Sequence, residues 1–182
     1  LSKNIKFNNK KKYVLISIFS NLILNKSFLK KFKRRAYNVH PGLLPYYPGK
    51  NCVSGALYNN EKNTGVTLHL MINKIDRGPI IKQYKIKIQR NDNLLKLINK
   101  LKLCSVKLIN SFINDLHLNK KMKLKKNNIN LIKFFPKKIP NEGLINFNTK
   151  YSEFNKLYKS SYFGPFENKW GKLNFYYNNK KF

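Results

Sequence analysis

A strand meets a loop in Ala36-Tyr37-Asn38-Val39-His40-Pro41-Gly42-Leu43-Leu44-Pro45-Tyr46-Tyr47-Pro48-Gly49. Ala36 to His40 has the pattern of a β-strand, whereas the proline- and glycine-rich stretch Pro41 to Gly49 can be neither a helix nor a central strand. We therefore expect an ordered loop that leaves the carboxyl end of the strand. In open α/β sheets, ligands bind at that end of the strands.

A second strand is predicted before this one. Tyr13 to Ile18 is a continuous apolar run of strand length, as expected for a strand that is buried on both faces. Between the two strands, Ser27 is expected to cap a short helix, Phe28 to Lys33. A strand-helix-strand unit crosses over right-handedly and makes its strands parallel. The pattern therefore predicts an α/β fold with a Rossmann-like, mostly parallel sheet.

Helices and strands continue to alternate further along the chain. The predicted elements are a helix at Asn51 to Tyr58, strands at Gly65 to Met71 and Ile80 to Ile88, a long amphipathic helix from Asp92 as N-cap to about Leu116, a strand at Leu144 to Phe147 and a helix near Ser152 to Ser160. Asn119 to Asn130 is rich in lysine and asparagine and is read as a linker. It divides the chain into a core, residues 1–118, and a linker with a small C-terminal subdomain, residues 119–182.

The charge of the chain is strongly positive. Its 182 residues include 38 basic and 7 acidic ones, for a net charge of +31, which usually indicates nucleic acid or an anionic surface as the partner. Only 4 of the 38 are arginine, so 34 are lysine, and the chain has 2 alanines. Arginine is the better phosphate ligand because its planar fork binds bidentately. The positive charge is therefore attributed mainly to a lysine-rich amino-acid composition and not to selection for nucleic-acid binding.

The cysteines and the apolar runs narrow the class of protein. Cys52 and Cys104 form no Cys-x-x-Cys or Cys/His cluster, so no metal site is predicted and both are read as reduced thiols. No run approaches the ~18 apolar residues of a membrane span. Residues 1–12 lack the apolar centre of a signal peptide. A cytoplasmic protein with no membrane partner is expected.

A second motif, further along the chain, combines with the first. It is Ile75-Asp76-Arg77-Gly78-Pro79-Ile80-Ile81, and Asp76 falls 36 residues after His40. Asn38 and His40 alternate along a strand, so their side chains enter the same cleft. A lone Asn-x-His is common, and a lone Asp-x-Gly is usually a turn. Their joint occurrence, with Thr64 to His69 between them, indicates a split catalytic site.

These motifs and their spacing closely resemble the folate-dependent formyltransferase family. The resemblance runs from about Tyr13 to about Ile88 and returns faintly at Pro140 to Phe147. Enzymes of that family transfer a formyl group from 10-formyltetrahydrofolate to a primary amine. The resemblance therefore implies a formyltransferase that uses this folate as donor. Family members carry two further βα units before this point, so N-terminal βα units are expected to be missing from this sequence.

The chemistry of formyl transfer suggests a role for each motif residue. Asn38 and His40 suit the stabilisation of an oxyanion, while Asp76 favours the charged form of His40 and can pass protons through an ordered water. By resemblance, His69 is a substrate-side residue that favours glycinamide-ribonucleotide and amino-sugar enzymes, although a strand histidine packed beside the cleft remains an alternative. The resemblance also implies a pterin slot lined by Ser20, Leu22, Ile23, Leu24, Ile72 and Ile75.

Three functions remain open from the sequence. The first is formyl transfer to a small amine, above all an amino sugar on a nucleotide carrier. The second is methionyl-tRNA formyltransferase, which the charge supports but which His69 and the absence of room for a tRNA-binding barrel disfavour. The third is a basic RNA-binding or interaction module with a decayed catalytic site. The presence of Asn38, His40 and Asp76 argues against such decay. A homodimer is compatible with each of them.

Overall fold

The computed structural model describes residues 7–8, 12–133, 135–177 and 180–181. Its elements are β1 (Leu15–Ile18), α1 (Lys26–Lys30), β2 (Ala36–His40), α2 (Cys52–Tyr58), β3 (Asn63–Leu70), β4 (Ile80–Lys87), α3 (Leu94–His117), α4 (Tyr151–Ser161), β5 (Tyr176–Tyr177) and β6 (Lys180–Lys181). Short 3-10 turns lie at Ile129–Leu131 and Pro140–Gly143. Among the described residues, no helix has the length and apolar character needed to cross a membrane.

The main sheet has four strands in the order β1-β2-β3-β4. β1 and β2 are parallel, and both later pairs, β2 with β3 and β3 with β4, are antiparallel. The α/β class and the parallel start of the sheet are confirmed, and the sheet becomes mixed beyond β2. The link from β3 to β4, residues 71–79, is shorter than the dozen or so residues that a parallel crossover needs. An antiparallel pair is the remaining possibility.

The core forms between the sheet and α3. Every residue of β3 after Asn63 is buried, as expected for a central strand. The apolar face of α3 lies on the sheet, and the Phe112 ring meets the Tyr37 ring edge-on at 4.8 Å. Its fully buried apolar residues include Leu97, Leu101 and Leu108. The predicted amphipathic helix is confirmed.

The N-cap predicted for α3 is one residue too early. The cap is Asn93, whose side chain accepts a hydrogen bond from Lys96 N at 3.0 Å. Asp92 is instead buried, where it accepts from Gln89 N at 2.8 Å and pairs with Lys100 Nζ at 2.6 Å. The buried Asp92 charge is thus satisfied by a backbone amide and by a lysine of α3.

The first strand-helix unit differs from its prediction in two respects. β1 is not buried on both faces: none of its four residues is buried, and Ile18 is 48% exposed. In the described sheet, β1 is an edge strand with a single neighbour. The helix is Lys26–Lys30, and its cap is Asn25, which accepts from Phe28 N at 2.9 Å. The Ser27 hydroxyl only donates to this cap.

In the C-terminal part, one predicted element is confirmed and one prediction is wrong. α4 forms as predicted and packs against α2 around Trp170, whose ring contacts the rings of Phe135 and Tyr58. The strand predicted at Leu144 to Phe147 is absent; Leu144 makes only an isolated bridge with Asn174, and Phe147 is fully exposed. A strand without a neighbouring strand to pair with is not stable.

Asn119 to Asn130 is predicted as a linker, but the middle of this segment packs on the core. Lys125 pairs with Ile80 through two backbone hydrogen bonds, each 2.8 Å long, at the beginning of β4. Asn127, two residues later, is buried. This part of the chain therefore lies beside the loop between β3 and β4.

Candidate active site

Three elements bring the motif residues together. Asn38 and His40 lie at the carboxyl end of β2, and His69 lies on β3 directly opposite Asn38 in the antiparallel register. Asp76 comes from the loop between β3 and β4. It has a φ of +49°, in the left-handed region that an aspartate seldom adopts. Such backbone geometry is concentrated at functional sites.

The Asp76 carboxylate has four polar partners within hydrogen-bond distance. Its Oδ2 lies 3.2 Å from His40 Nδ1 and accepts from Gly49 N at 2.8 Å. Its Oδ1 accepts from Asn38 Nδ2 at 3.2 Å and lies 3.2 Å from His69 Nε2. The predicted catalytic residues Asn38, His40 and Asp76 thus occupy one place, with His69 as a further member of the cluster.

His40 has a proton on both ring nitrogens in this arrangement. Its Nε2 lies 3.0 Å from Tyr47 O, and a carbonyl oxygen can only accept, so Nε2 must donate. Its Nδ1 faces the carboxylate. Burial by itself lowers the pKa of His40, but neighbouring Cys52 and the hydrogen-bonded Asp76 outweigh this effect and raise the pKa to about 10. The ring is an imidazolium at neutral pH.

Asp76 is the ionised partner of that imidazolium. Burial by itself raises the pKa of the Asp76 carboxyl, but the hydrogen bonds from His40 and His69, the charge on His40 and the Gly49 N–H hold it well below its usual range. A nearly buried ion pair is therefore present across the neutral pH range. Such a pair is costly to bury unless hydrogen bonds satisfy it, as they do here.

His69, predicted as a substrate-side residue, is buried beside Asp76 and Asn38. Its Nδ1 donates to Leu70 O at 3.1 Å, so this nitrogen carries a proton. Its Nε2 faces both Asp76 Oδ1 and Asn38 Nδ2, at 3.2 Å each. In its neutral form Nε2 accepts from Asn38, and in its charged form it donates to Asp76. Either way, His69 contacts both of these groups.

An apolar cleft opens beside the cluster. It is lined by the catalytic candidates and by all six residues predicted for the pterin slot, namely Ser20, Leu22, Ile23, Leu24, Ile72 and Ile75. Leu22, Ile23 and Ile75 leave more than half of their side chains exposed. Within the part of the chain that the structure describes, the N–H groups of Ile23 and Leu24 have no hydrogen-bond partner. Exposed apolar side chains beside free amides favour a flat, polar-edged ring as ligand.

The cleft also has a positive field. Lys50 and Lys74 both contribute to its lining. The acidic residue in the lining, Asp76, is neutralised by His40. An anionic ligand is therefore attracted to this cleft.

The loop between β2 and α2 supplies contacts that the motif did not reveal. Tyr47 O holds His40, and Gly49 N holds Asp76. The Tyr47 hydroxyl donates to Glu61 at 2.7 Å, and Glu61 is paired with Lys133. The proline- and glycine-rich composition indicated an ordered loop, but backbone groups leave no residue-type signal of such roles.

Buried Thr67 on β3 ties this loop to the sheet. Its Oγ1 donates to Gly42 O at 2.6 Å and accepts from Leu44 N at 3.1 Å. Gln83 Nε2 adds hydrogen bonds to Leu44 O and to Thr67 Oγ1. The loop that carries Tyr47 and Gly49 is therefore held by side chains of two strands.

The family model described as formyl transferase matches residues 7–113, more than half of the chain. The chain belongs to the formyl transferase family. This formyl transferase chain is 34% identical over 154 residues to the bifunctional polymyxin resistance protein ArnA of Wigglesworthia glossinidia brevipalpis, a match that covers 81% of the chain and 22% of ArnA.

Solved structures of formyltransferases have the same fold. The sugar 3N-formyl transferase WlaRD, solved with dTDP and 5-N-formyl-THF, has a TM-score of 0.69 and 28% identity over 81% of the chain and 53% of WlaRD. The N-formyltransferase of Helicobacter canadensis, solved with folinic acid and dTDP-3-aminofucose, has a TM-score of 0.71 and 28% identity over 82% and 55%. The chain thus spans about a fifth of ArnA and about half of each of these two proteins.

Proposed function

We propose that this chain carries the catalytic site of an enzyme that transfers a formyl group from 10-formyltetrahydrofolate to the primary amine of a nucleotide-linked amino sugar. One observation carries the proposal: the Asp76 carboxylate meets Asn38, His40 and His69 beside an apolar cleft with a positive field. This arrangement supplies the donors and acceptors that we expect formyl transfer to use.

The reaction needs no covalent intermediate with the enzyme. The amine nitrogen attacks the formyl carbon and forms the new C–N bond, while the carbonyl electrons move to oxygen. The tetrahedral oxyanion then collapses, the bond from carbon to the folate nitrogen breaks, and its electrons remain on that nitrogen. One proton must leave the amine, and one must reach the folate nitrogen.

The geometry suggests how the work is divided. Asn38 is the least buried of the three side chains that contact Asp76. When His69 is charged and donates to Asp76, one hydrogen of the Asn38 amide is left for an entering formyl oxygen. The His40 imidazolium places positive charge behind it, where the oxyanion develops. Asp76, ionised and at the centre of the cluster, receives the amine proton directly or through a water and returns it to the folate nitrogen.

The cleft suits a folate as the donor. Leu22, Ile23, Ile72 and Ile75 provide apolar walls, and the amides of Ile23 and Leu24 can pair with the edge of a pterin. Two relatives were solved with 5-N-formyl-THF and with folinic acid. The site would hold the ring against these residues, with the formyl group directed at Asn38.

The choice of acceptor rests on the relatives and on charge. WlaRD was solved with dTDP, and the Helicobacter canadensis enzyme with dTDP-3-aminofucose. A nucleoside diphosphate is an anion, which fits a cleft bordered by Lys50 and Lys74. The ligands of these two relatives favour a nucleotide-linked amino sugar over a larger acceptor, and the positive charge suits its diphosphate.

The test is formyl transfer by the protein expressed from its complete reading frame. Labelled 10-formyltetrahydrofolate is offered with nucleotide-linked amino sugars, glycinamide ribonucleotide and initiator methionyl-tRNA. We expect label in an amino sugar, and its loss in His40→Ala but not in His117→Ala, which changes an exposed histidine at the end of α3. Label in methionyl-tRNA alone would replace the proposed acceptor. Failure to label any amine would overturn the proposed activity.

A further inference from the structure

Asn127 contacts the catalytic loop from a distant part of the chain. Its Nδ2 donates to Asp76 O at 2.8 Å and to Gly78 O at 3.2 Å, and the residue is only 7% exposed. It lies 51 residues after Asp76 and beyond residue 113, where the family match ends. Neither the motifs nor the family match draws attention to this residue.

The Asp76 loop has two buried carbonyls that need a donor. An amide nitrogen carries two hydrogens, so a single Asn side chain can satisfy both. Within the described residues, Asp76 O and Gly78 O have no other hydrogen-bond partner. Removing the Asn127 amide would leave both of them unsatisfied, which is unfavourable in a buried site.

The loop itself is tightly folded. Asp76 has a left-handed backbone, and a Cβ at Gly78 would lie 1.7 Å from Leu70 O. Asn127 is in turn held in place because Lys125, two residues before it, pairs with Ile80 by two backbone hydrogen bonds. A fixed donor thus holds the backbone of a tightly folded loop.

We propose that Asn127 is a positioning residue that holds the Asp76 loop so that both carboxylate oxygens contact their partners Asn38, His40 and His69. This inference rests on the proposed function. Its structural part, the placement of Asp76 against His40, can be measured without catalysis. The four contacts of the carboxylate are between 2.8 and 3.2 Å long, so a small shift of the loop would break several of them.

The variant Asn127→Leu removes both donors while keeping a branched side chain of similar size and no charge. Asn127→Ser keeps one hydroxyl donor and provides a graded version. Asn130→Leu is the matched control, because Asn130 is exposed and its side chain has no partner within the described residues. All three are made in the protein expressed from its complete reading frame.

For catalysis, we expect Asn127→Leu to lower kcat by about 100-fold, the scale of a 1 Å misplacement of a catalytic group. The KM for the folate should change little, because the pterin slot is formed by other residues. Asn127→Ser should be intermediate, and Asn130→Leu should match the wild type. Should Asn127→Leu fail to fold, the Asn127→Ser result decides.

A second readout is the titration of His40, followed by NMR of the ring protons. The chain has 3 histidines, and exposed His117 serves as an internal reference. We expect the pKa of His40, about 10 in the wild type, to fall in Asn127→Leu as Asp76 moves away. Wild-type titration and kcat in a folded Asn127→Leu protein would overturn the positioning role. A wild type that transfers no formyl group would refute the proposed function, while the titration would still decide whether Asn127 positions Asp76.

Discussion

His40 Nδ1 lies 3.2 Å from Asp76 Oδ2, and the two side chains are almost completely buried. The pair therefore behaves as a unit whose charge depends on pH at both extremes. The pKa of His40 is raised, so its contribution to stability is fully present below the ordinary value of 6.5 and is lost as the pH rises through about 10. The pKa of Asp76 is lowered, so its contribution is present above 3.8 and is lost as the pH falls below that value.

The first prediction concerns the alkaline side of this relationship. We expect the free energy of unfolding of the wild type to exceed that of His40→Gln most strongly below about pH 6.5, and the difference to shrink steadily toward about pH 10. Chemical denaturation at a series of pH values measures this difference. His117→Gln, which changes an exposed ring, is measured in the same series for comparison. A difference that grows as the pH rises would contradict the charged state of His40.

The second prediction is that Asp76→Asn abolishes most of the activity although it preserves the shape of the side chain. The amide nitrogen would face either His40 Nδ1 and Gly49 N or Asn38 Nδ2, which are donors and need an acceptor. We expect kcat to fall by roughly 100- to 10,000-fold, as for loss of a general acid or base. Single-turnover rates with a saturating folate donor measure the chemical step.

Asp115→Asn is the matched control for that variant. Asp115 pairs with Lys82 and Lys120 at the surface. Surface ion pairs contribute little to stability, and Asp115 does not line the cleft. Activity should remain at the wild-type level. Equal losses in both variants would indicate a general effect of reduced acidity and not a specific role of Asp76.

The third prediction separates the loop that carries Tyr47 from the chemistry. Tyr47→Phe removes a hydroxyl that donates to Glu61 and accepts from Asn59 Nδ2 at 2.8 Å. The backbone contact of Tyr47 O with His40 does not need that hydroxyl. We expect a loss of about 1–3 kcal/mol in unfolding free energy, with kcat largely retained. Tyr46→Phe, at the exposed neighbour, should leave both quantities unchanged, whereas a large loss of kcat in Tyr47→Phe would place the hydroxyl in the catalytic machinery.

The elements of the core could be predicted because their signals are local. The pattern of Ala36 to His40 predicts strand β2 with its observed bounds. In α3, apolar residues recur every three to four positions over a long stretch, which is sufficient to place that helix on the sheet. The caps were less certain, since Asn25 and Ser27, or Asp92 and Asn93, are both suitable cap residues and only the three-dimensional contacts decide between them. The strand at Leu144 to Phe147 failed because its pattern says nothing about a partner.

The site could be predicted only as far as its residues share a strand or a motif. The alternation of Asn38 and His40 placed them on one side of β2, and the resemblance added Asp76. The contact between His69 and Asn38 depends on the antiparallel register of β2 and β3, which strand patterns do not reveal. Asn127 lay in a stretch that composition presented as a linker, because a single buried amide has no sequence signal among many exposed asparagines.

A fourth prediction tests the core under α3. Leu101 is fully buried against the sheet, so Leu101→Ala should cost about 2–5 kcal/mol of unfolding free energy through lost burial and a residual cavity. Leu103 lies two residues along the same helix and is 69% exposed. Leu103→Ala should stay within about 0.5 kcal/mol of the wild type. Urea denaturation of the two variants side by side measures the difference, and equal effects would mean that α3 does not pack on this face.

The last prediction concerns the apolar wall of the cleft. Ile23 is 74% exposed in the free protein, so Ile23→Ser removes little buried surface and should leave stability unchanged. A bound pterin would cover that side chain, and partial burial of an isoleucine is worth about half of the 1.5–3 kcal/mol of full burial. Because 1.4 kcal/mol corresponds to a factor of ten in affinity, we expect the Kd for 5-formyltetrahydrofolate to rise about tenfold. The value of kcat should be retained, because Ile23 contacts none of the reacting groups.

Leu118→Ser, which changes an apolar residue that is 61% exposed outside the cleft, is the control. Calorimetric titration of both variants measures the Kd, and an unchanged affinity in Ile23→Ser would move the pterin away from residues 20–24.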